Sequence, residues 1–462
     1  MDDNDTDVNI EATRLLGLDG VGVVRVDADE GGSADDRGGP VVHLVTTDPA
    51  ARACPGCGVV SGVLKGRVAT RPRHLPCGGR RVRLVWHKSR WRCAEPGCAR
   101  RSFTESVPDL PARHRLSAPL RSHAAGRVTD HGATVVQAAR DNGMSWPVVM
   151  SAFSAAAADM ADAPLSPVRV LGMDETRRGR PAWQPDQQPD QQPDQQPDQQ
   201  PGTRRLVRDR WHVGFCDLSG GQGLLGQVQG RTADDVAYWL WQQPAAWRDR
   251  IRFVAIDLCT IFKSAITRML PHATIVVDHF HLVQLANNAL TEVRQQATHA
   301  LRGRRGRTGD GEYDVRRLLM RNREDLSDAR FARLWNTLID LGDTGEQILA
   351  AYIGKELLRE LLALARTGPD RHRISRHLHD FYAWCANTNL APLHRLATTV
   401  NTWWPHIEAF LATRITNAAS EAHNRIVKLA ARTAYGFRNP TNQQLRTLCV
   451  TTRAARGFLM PA

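Results

Sequence analysis

Phe253-Val254-Ala255-Ile256-Asp257 is a short, unbroken apolar run that closes on a carboxylate, and Thr274-Ile275-Val276-Val277-Asp278 repeats the pattern after a helical stretch at 261–269. Runs of this kind are expected of buried parallel strands whose C-terminal ends face a site. Upstream, 168–174, 211–218 and 224–229 read as three further strands, and 232–241 as a helix. The order is therefore β-β-β-α-β-α-β. Between its first two strands the chain carries Gln-Pro-Asp-Gln four times over, closed by Gln200-Pro201 (184–201). A proline at every fourth residue excludes both helix and central strand, so this segment is expected to be a solvated, extended insertion at a hairpin tip.

Downstream, 282–411 is helix-periodic and lacks strand signals. One basic, glycine-rich loop, Arg302 to Gly309, interrupts it and reads as flexible. A last helix is expected at 413–431, with Asn417, Glu421, Asn424 and Lys428 at near-helical spacing. The expected architecture is thus an α/β domain in two parts, 168–281 and 412–462, separated by an all-α insertion at 282–411.

The N-terminal third has another character. Residues 1–50 form an acidic leader with two β-branched runs, 21–26 and 41–47, that could pair as a hairpin. Residues 51–112 read as a basic zinc-binding domain. Cys54-x2-Cys57 and Cys93-x4-Cys98, each with a Pro-Gly turn, can close a tetrahedral thiolate site, with Cys77 or His74 as alternate ligands. Between Lys65 and Arg101, twelve basic residues face only Glu95. Among them Arg80, Arg81, Arg83, Lys88, Arg90 and Arg92 are candidate DNA contacts. Residues 113–163 read as helix-turn-helix: Gly143 supplies the turn, Ser145 the N-cap, and 146–158 the second helix. An αα-hairpin without a DNA role is the alternative. Cys216, Cys259, Cys385 and Cys449 read as single core cysteines.

The 462 residues carry 61 Lys and Arg against 48 Asp and Glu, a formal charge of +13, and 42% of the residues are hydrophobic. This composition excludes a disordered or fibrous chain and points to a polyanionic partner, nucleic acid first. No apolar run reaches the eighteen residues of a transmembrane candidate, and the acidic start lacks the features of a secretory signal. A cytoplasmic, nucleoid-associated protein is expected.

Asp174, Asp257 and Glu421 together are what a two-metal phosphoryl-transfer site requires, namely hard oxygen ligands on a rigid sheet, and Asp278 is a fourth candidate. The runs Gly172-Met173-Asp174-Glu175-Thr176, Leu224 to Thr232, Val276-Val277-Asp278-His279-Phe280-His281, Thr416 to Arg425 and Gly436-Phe437-Arg438-Asn439-Pro440 resemble the DDE transposases of the bacterial ISL3 insertion-sequence family. The resemblance extends from about Ala53 to the C-terminus. It implies a multidomain α+β protein: a four-cysteine zinc knuckle and helix-turn-helix, then an RNase H-like α/β catalytic domain interrupted by an all-α insertion. It further implies catalytic Asp174, Asp257 and Glu421 holding two Mg²⁺ or Mn²⁺ ions, and structural Zn²⁺ on Cys54, Cys57, Cys93 and Cys98. The Asp278 to His281 segment is similar to a signature that follows the second aspartate in related groups, which makes Asp278 and His281 auxiliary. Arg425 and Lys428 would contact phosphate. Double-stranded DNA, both transposon ends and target, is the implied partner, with a homodimer or larger assembly on it. Ala422 stands where the family is expected to have glycine. A regulator derived from such an element, lacking the chemistry, is the rival reading.

Overall fold

The computed structural model describes residues 7–28, 39–185, 204–208 and 210–459, so the Gln-Pro-Asp-Gln repeat from Asp186 onward lies outside the described residues. The chain forms two compact units, residues 1–162 with 458–462, and residues 163–457.

The first unit opens with helix α1 (Ile10–Leu16), capped by Asn9, and the strands β1 (Val21–Asp27) and β2 (Val41–Thr46), which pair antiparallel. Strands β3 (Leu64–Thr70), β4 (Arg83–Arg92) and β5 (Ser102–Thr104) join them in one sheet of order β1-β2-β4-β3, with β5 on the end of β4. Because β2 runs parallel to β4, from Val41 opposite Arg83 to Val45 opposite His87, the leader is built into the sheet of the cysteine segment and does not stand apart from it. Strand β4 serves two cores. Leu84 and Trp86 join Leu16, Val21, Val23, Val42 and Leu44, whereas Trp91, of opposite pleat parity, packs with Cys54 and Phe103. Buried Glu105 ties the two together by accepting from the backbone N–H of Ser89 (2.7 Å), Trp91 Nε1 (3.0 Å) and the Thr46 hydroxyl (2.9 Å).

Three helices complete this unit: α2 (Ala118–Thr129), α3 (Val135–Asp141) and α4 (Trp146–Ala161). Small residues at their contacts, Ala124, Ala125, Ala138, Ala139, Ala152 and Ala157, let the helices approach around Phe153 and Met160. The turn from α3 to α4 passes through Gly143 at φ +56°. Ser145 occupies the N-cap position of α4, but its hydroxyl makes no capping bond.

The second unit contains strands β6 (Val170–Arg177), β7 (Ala182–Pro185), β8 (Arg204–Arg208), β9 (Trp211–Asp217) and β10 (Leu224–Gln229), helices α5 (Ala233–Gln242) and α6 (Ala245–Arg248), then β11 (Phe253–Ile256), α7 (Thr260–Met269) and β12 (Thr274–Val277). Strands β7 and β8 pair as an antiparallel ribbon, β7 taking in the first two residues of the repeat, Gln184 and Pro185. The main sheet has the order β10-β9-β6-β11-β12, antiparallel from β10 to β6 and parallel from β6 to β12. Strand β6 does not end at Asp174. Residues 174–177 continue to pair with β9, from Asp174 opposite Gly214 to Arg177 opposite Trp211, while β11 on the other side has already stopped at Ile256.

Seven helices follow: α8 (His279–Arg302), α9 (Gly311–Asp314), α10 (Arg316–Leu319), α11 (Asp328–Ile339), α12 (Asp343–Ala363), α13 (Arg371–Asn387) and α14 (Ala391–Thr413). They are not a detached lobe. Leu361, Phe381, Leu393, Val400, Ile407 and Phe410 share one core with Leu171, Val254, Ile256 and Val276 of the sheet, and a second cluster around Leu290, Leu338 and Ile348 fills the far end. The basic loop after α8 is not free either. Arg302 Nε donates to Glu312 (2.6 Å) and Arg304 to Asp310 (2.7 Å), acids lying just beyond the stretch in which only arginines stand out. Helices α15 (Ala418–Thr433) and α16 (Pro440–Thr452) close the unit, α15 starting five residues later than its sequence pattern suggests. Of the four isolated cysteines Cys216, Cys385 and Cys449 are buried, whereas Cys259 is only half-buried, at the start of α7.

Candidate active site

The parallel register sets Gly172 opposite Ala255 and Ala255 opposite Val276. Asp174, Asp257 and Asp278 each stand two residues further on. The pleat therefore brings the three carboxylates to one face and one level of adjacent strands, about 5 Å apart from strand to strand. Leu171, Met173, Val254 and Ile256 point the other way into the core.

Helix α15 covers the carboxylate face. The Asn417 amide donates to the carbonyl of Met173 (3.0 Å), and the Asn424 amide donates to Asp174 Oδ2 (2.6 Å). The two asparagines lie seven residues apart, and Glu421 lies between them on the same helical face. Gly172 makes the approach possible, because a Cβ there would meet Ser420 Oγ at 2.4 Å and Asn417 Oδ1 at 2.9 Å. Glu421 thus faces the aspartates across the interface. Asp278 caps α8, accepting from the Phe280 N–H at 3.2 Å, and one turn on His281 reaches the same place. One ligand atom each from Asp278, His281 and Glu421 lies within 4.8 Å of the others.

The carboxylates differ electrostatically. Burial pushes Asp174 above its ordinary range, opposed by the bonds from Glu175 N–H and Asn424 and by nearby His281. Burial likewise pushes Asp257 up to about 6, with His281 opposing and Asp174 and Glu175 adding to the rise. Asp257 Oδ1 is buried and makes no hydrogen bond. For Asp278 burial also acts upward, but the bonds from His279 and Phe280 outweigh it and leave the group below its ordinary range. Asp278 is therefore satisfied by the protein itself, whereas Asp174 and Asp257 are strained as anions and would gain most from a cation. Hard oxygen donors and an orphaned carboxylate oxygen suit a divalent ion such as Mg²⁺. Arg425 and Lys428 are exposed, with Arg425 3.9 Å from Glu421. Two arginines, Arg177 and Arg231, stack on the Trp211 ring at 4.6 and 4.7 Å. The positioning asparagines were visible in the sequence only as a spacing, and nothing there showed that Gly172 faces a helix.

In the first unit the four cysteines converge. Sγ of Cys54 and Cys98 are 4.0 Å apart and those of Cys57 and Cys93 3.5 Å apart, and all four lie within 4.8 Å of one another. A tetrahedral Zn²⁺ site with bonds of about 2.3 Å has sulfur separations near 3.8 Å. The Gly56 N–H brings Cys54 down to about 7. At Cys93, burial and the three neighbouring thiols overcome the Glu95 N–H and push the group up to about 12. Four thiolates this close call for a dication. The alternate ligands stay outside. His74 bonds the Ser117 hydroxyl (2.8 Å) and the Leu16 carbonyl (3.1 Å), and Cys77 pairs through its backbone with Arg80. Arg80, Arg81, Arg83, Arg90 and Arg92 are exposed, whereas Lys88 is half-buried over the Trp86 ring at 4.3 Å.

Comparison with known proteins bears on both regions. A family model described as transposase, of the ISL3 type with a DDE domain, matches residues 207–447, just over half of the chain, and takes in Asp257, Asp278, His281 and Glu421. A second, described as the zinc-finger of transposase IS204/IS1001/IS1096/IS1165, matches residues 50–98 and takes in all four clustered cysteines. The chain is 26% identical over 220 residues to the transposase for insertion sequence element IS1001 of Bordetella parapertussis, covering 47% of this chain and 52% of that protein. It is 26% identical over 233 residues to the transposase for insertion sequence element IS1557 of Mycobacterium tuberculosis, covering 46% and 50%. The chain spans about half the length of these relatives. Among the described residues no helix is long and apolar enough to cross a membrane.

Proposed function

The chain belongs to the ISL3 family of insertion-sequence transposases, and from that premise we propose that it binds the inverted-repeat ends of its element and cleaves and joins DNA through the acids Asp174, Asp257 and Glu421. The second unit is the RNase H-like catalytic domain of this reading. The observation that carries it is the level row of strand carboxylates faced by Glu421, with Asp257 Oδ1 left unpaired beneath it.

Asp174, Asp257 and Glu421 would hold divalent ions, Mg²⁺ or Mn²⁺. When bound, such ions lower the pKa of an attacking water or hydroxyl and stabilise the departing oxygen. Asn424 fixes the orientation of Asp174, Asn417 fixes the helix that presents Glu421, and His281 stands beside all three aspartates. Water attacks a phosphodiester at the end of the element and frees a 3′-hydroxyl; attack of that hydroxyl on target DNA then joins the strands. Arg425 and Lys428, exposed on α15, supply positive charge to the incoming phosphates.

The first unit grips the ends in this reading. Its zinc-clamped sheet carries Arg83, Lys88, Arg90 and Arg92 on β4, with Arg80 and Arg81 on the loop just before it, and α3 and α4 act as helix-turn-helix. Holding two ends at once implies a homodimer or larger assembly on double-stranded DNA. Asp257→Ala is expected to abolish end cleavage by the full-length protein while end binding persists. Asp278→Asn, which keeps the α8 cap, is expected to leave most of the activity. An Asp257→Ala protein that still cleaves would overturn the triad.

A further inference from the structure

We propose that a cleft in the N-terminal unit, between the β3–β4 loop and the α3–α4 turn, is a phosphate-binding site that seats the sugar-phosphate backbone of the DNA. The proposal rests on the reading that this unit binds DNA and adds to it the place where the strand is held. The cleft has a volume of about 570 Å³, and its walls include Arg73, His74, Arg81, Arg140, Asp141 and Gly143.

The positive charge in the cleft is not answered by the protein. Arg73 spends two donors on the carbonyls that end α3, Nη1 on Gly143 (2.8 Å) and Nη2 on Asn142 (2.7 Å), and so pins the turn to the β3–β4 loop. Arg81 reaches the same point: a Cβ on Gly143 would stand 3.1 Å from Arg73 Nη2 and 3.7 Å from Arg81 Nη2. Arg81 and Arg140 are exposed, and among the described residues neither guanidinium makes a hydrogen bond or ion pair. The one acid in the wall is already engaged, because Asp141 accepts from Gln137 Nε2 (2.6 Å) and Arg127 Nη2 (3.3 Å). Both ring nitrogens of His74 are taken by Ser117 and Leu16. What remains open is a pair of guanidinium forks on a floor rigidified by a third.

Such forks match tetrahedral oxyanions with several acceptor oxygens, and phosphate fits this geometry better than a single carboxylate does. DNA backbone is favoured over a free phosphate compound by position. The cleft opens beside the turn that leads into α4, where exposed Trp146 and the unused Ser145 hydroxyl begin the helix. A strand seated there would run along the start of that helix, where phosphate contacts fix the register of the helix in the groove.

The test is fluorescence anisotropy of a labelled end duplex with the full-length protein. Arg81→Gln and Arg140→Gln should each weaken binding about 3- to 10-fold at about 0.1 M salt, and each should lower the log–log salt slope by about 0.9. Arg140→Lys should restore the salt slope, since it keeps the charge, but only part of the affinity, since it loses the fork, and the thermal melt should not move because both side chains are exposed. A double variant with wild-type affinity and slope overturns the proposal. Wild-type protein that fails to bind the ends removes the DNA reading itself. In a separate arm, pyrophosphate is titrated into the DNA-free protein. If the double variant loses pyrophosphate but keeps its DNA affinity, the site takes a free phosphate compound and the backbone proposal fails.

Discussion

Asp257 is held in the folded protein at a cost, since its carboxyl is pushed from 3.8 up to about 6 and one oxygen has no partner. Above pH 6 the group is charged in both folded and unfolded chains, so the full penalty applies to the ion-free fold. As pH falls through 6 the folded protein takes up the proton first and the penalty shrinks, and below 3.8 it is gone. Asp257→Asn, never charged, should therefore stabilise Mg²⁺-free protein by about 2–3 kcal/mol at pH 7.5 and by only about 1 kcal/mol at pH 4.5. Denaturant midpoints at the two pH values measure this, and an equal gain at both would contradict the electrostatic origin. The aspartates were legible in the sequence because each follows a strand-like apolar run. Asn417 and Asn424 were legible only as a spacing, because an asparagine on a helix does not reveal which carbonyl or carboxylate it will meet.

Helix α15 covers the row of strand carboxylates, and its seating depends on a residue with no side chain. Gly172→Ala would place a Cβ 2.4 Å from Ser420 Oγ and 2.9 Å from Asn417 Oδ1, with strand backbone on one side and helix on the other. Ser420 and Asn417 are both buried, so relief by a shift of α15 would move Glu421. A shift of an ångström at a reacting centre costs on the order of 100-fold, so Gly172→Ala should lower end cleavage by at least about that factor while DNA binding stays. Adding Ser420→Ala, which removes the nearer clash, should restore part of the activity. If Gly172→Ala cleaves at the wild-type rate, the tight seating of α15 is not what positions Glu421. Element types were readable from periodicity here, but element ends were not. Strand β6 continues past Asp174 through Arg177 because β9 offers it hydrogen-bond partners to the end, and polar Glu175, Thr176 and Arg177 give no hint of that pairing. The basic loop after α8 looked flexible because its acidic partners, Asp310 and Glu312, follow it in the chain.

At the scale of the molecule, the net charge of +13 misleads about where the positive charge resides. Residues 1–162 hold 21 Lys and Arg against 19 Asp and Glu, so the unit that would bind the ends is nearly neutral in sum. It is polarised instead. Residues 1–50 carry twelve acids against three bases, and residues 65–101 twelve bases against one acid. Over a screening length of about 8–10 Å a phosphate backbone responds to the local patch, not to the sum. The unit also has its own cores and its own cysteine cluster, so residues 1–162 should fold alone in the presence of zinc. This fragment should bind end duplex with an affinity that falls steeply and linearly in log–log form from about 50 to 200 mM salt, despite its small net charge. Stripping the zinc should cost binding as well, because Trp91 and Phe103 have little to pack against beyond the cysteines, and Arg90 and Arg92 flank that cluster on the same strand. A flat salt response would mean that the acidic leader cancels the patch at contact range, and end recognition would then have to be sought in the second unit, which holds 40 basic residues against 29 acids.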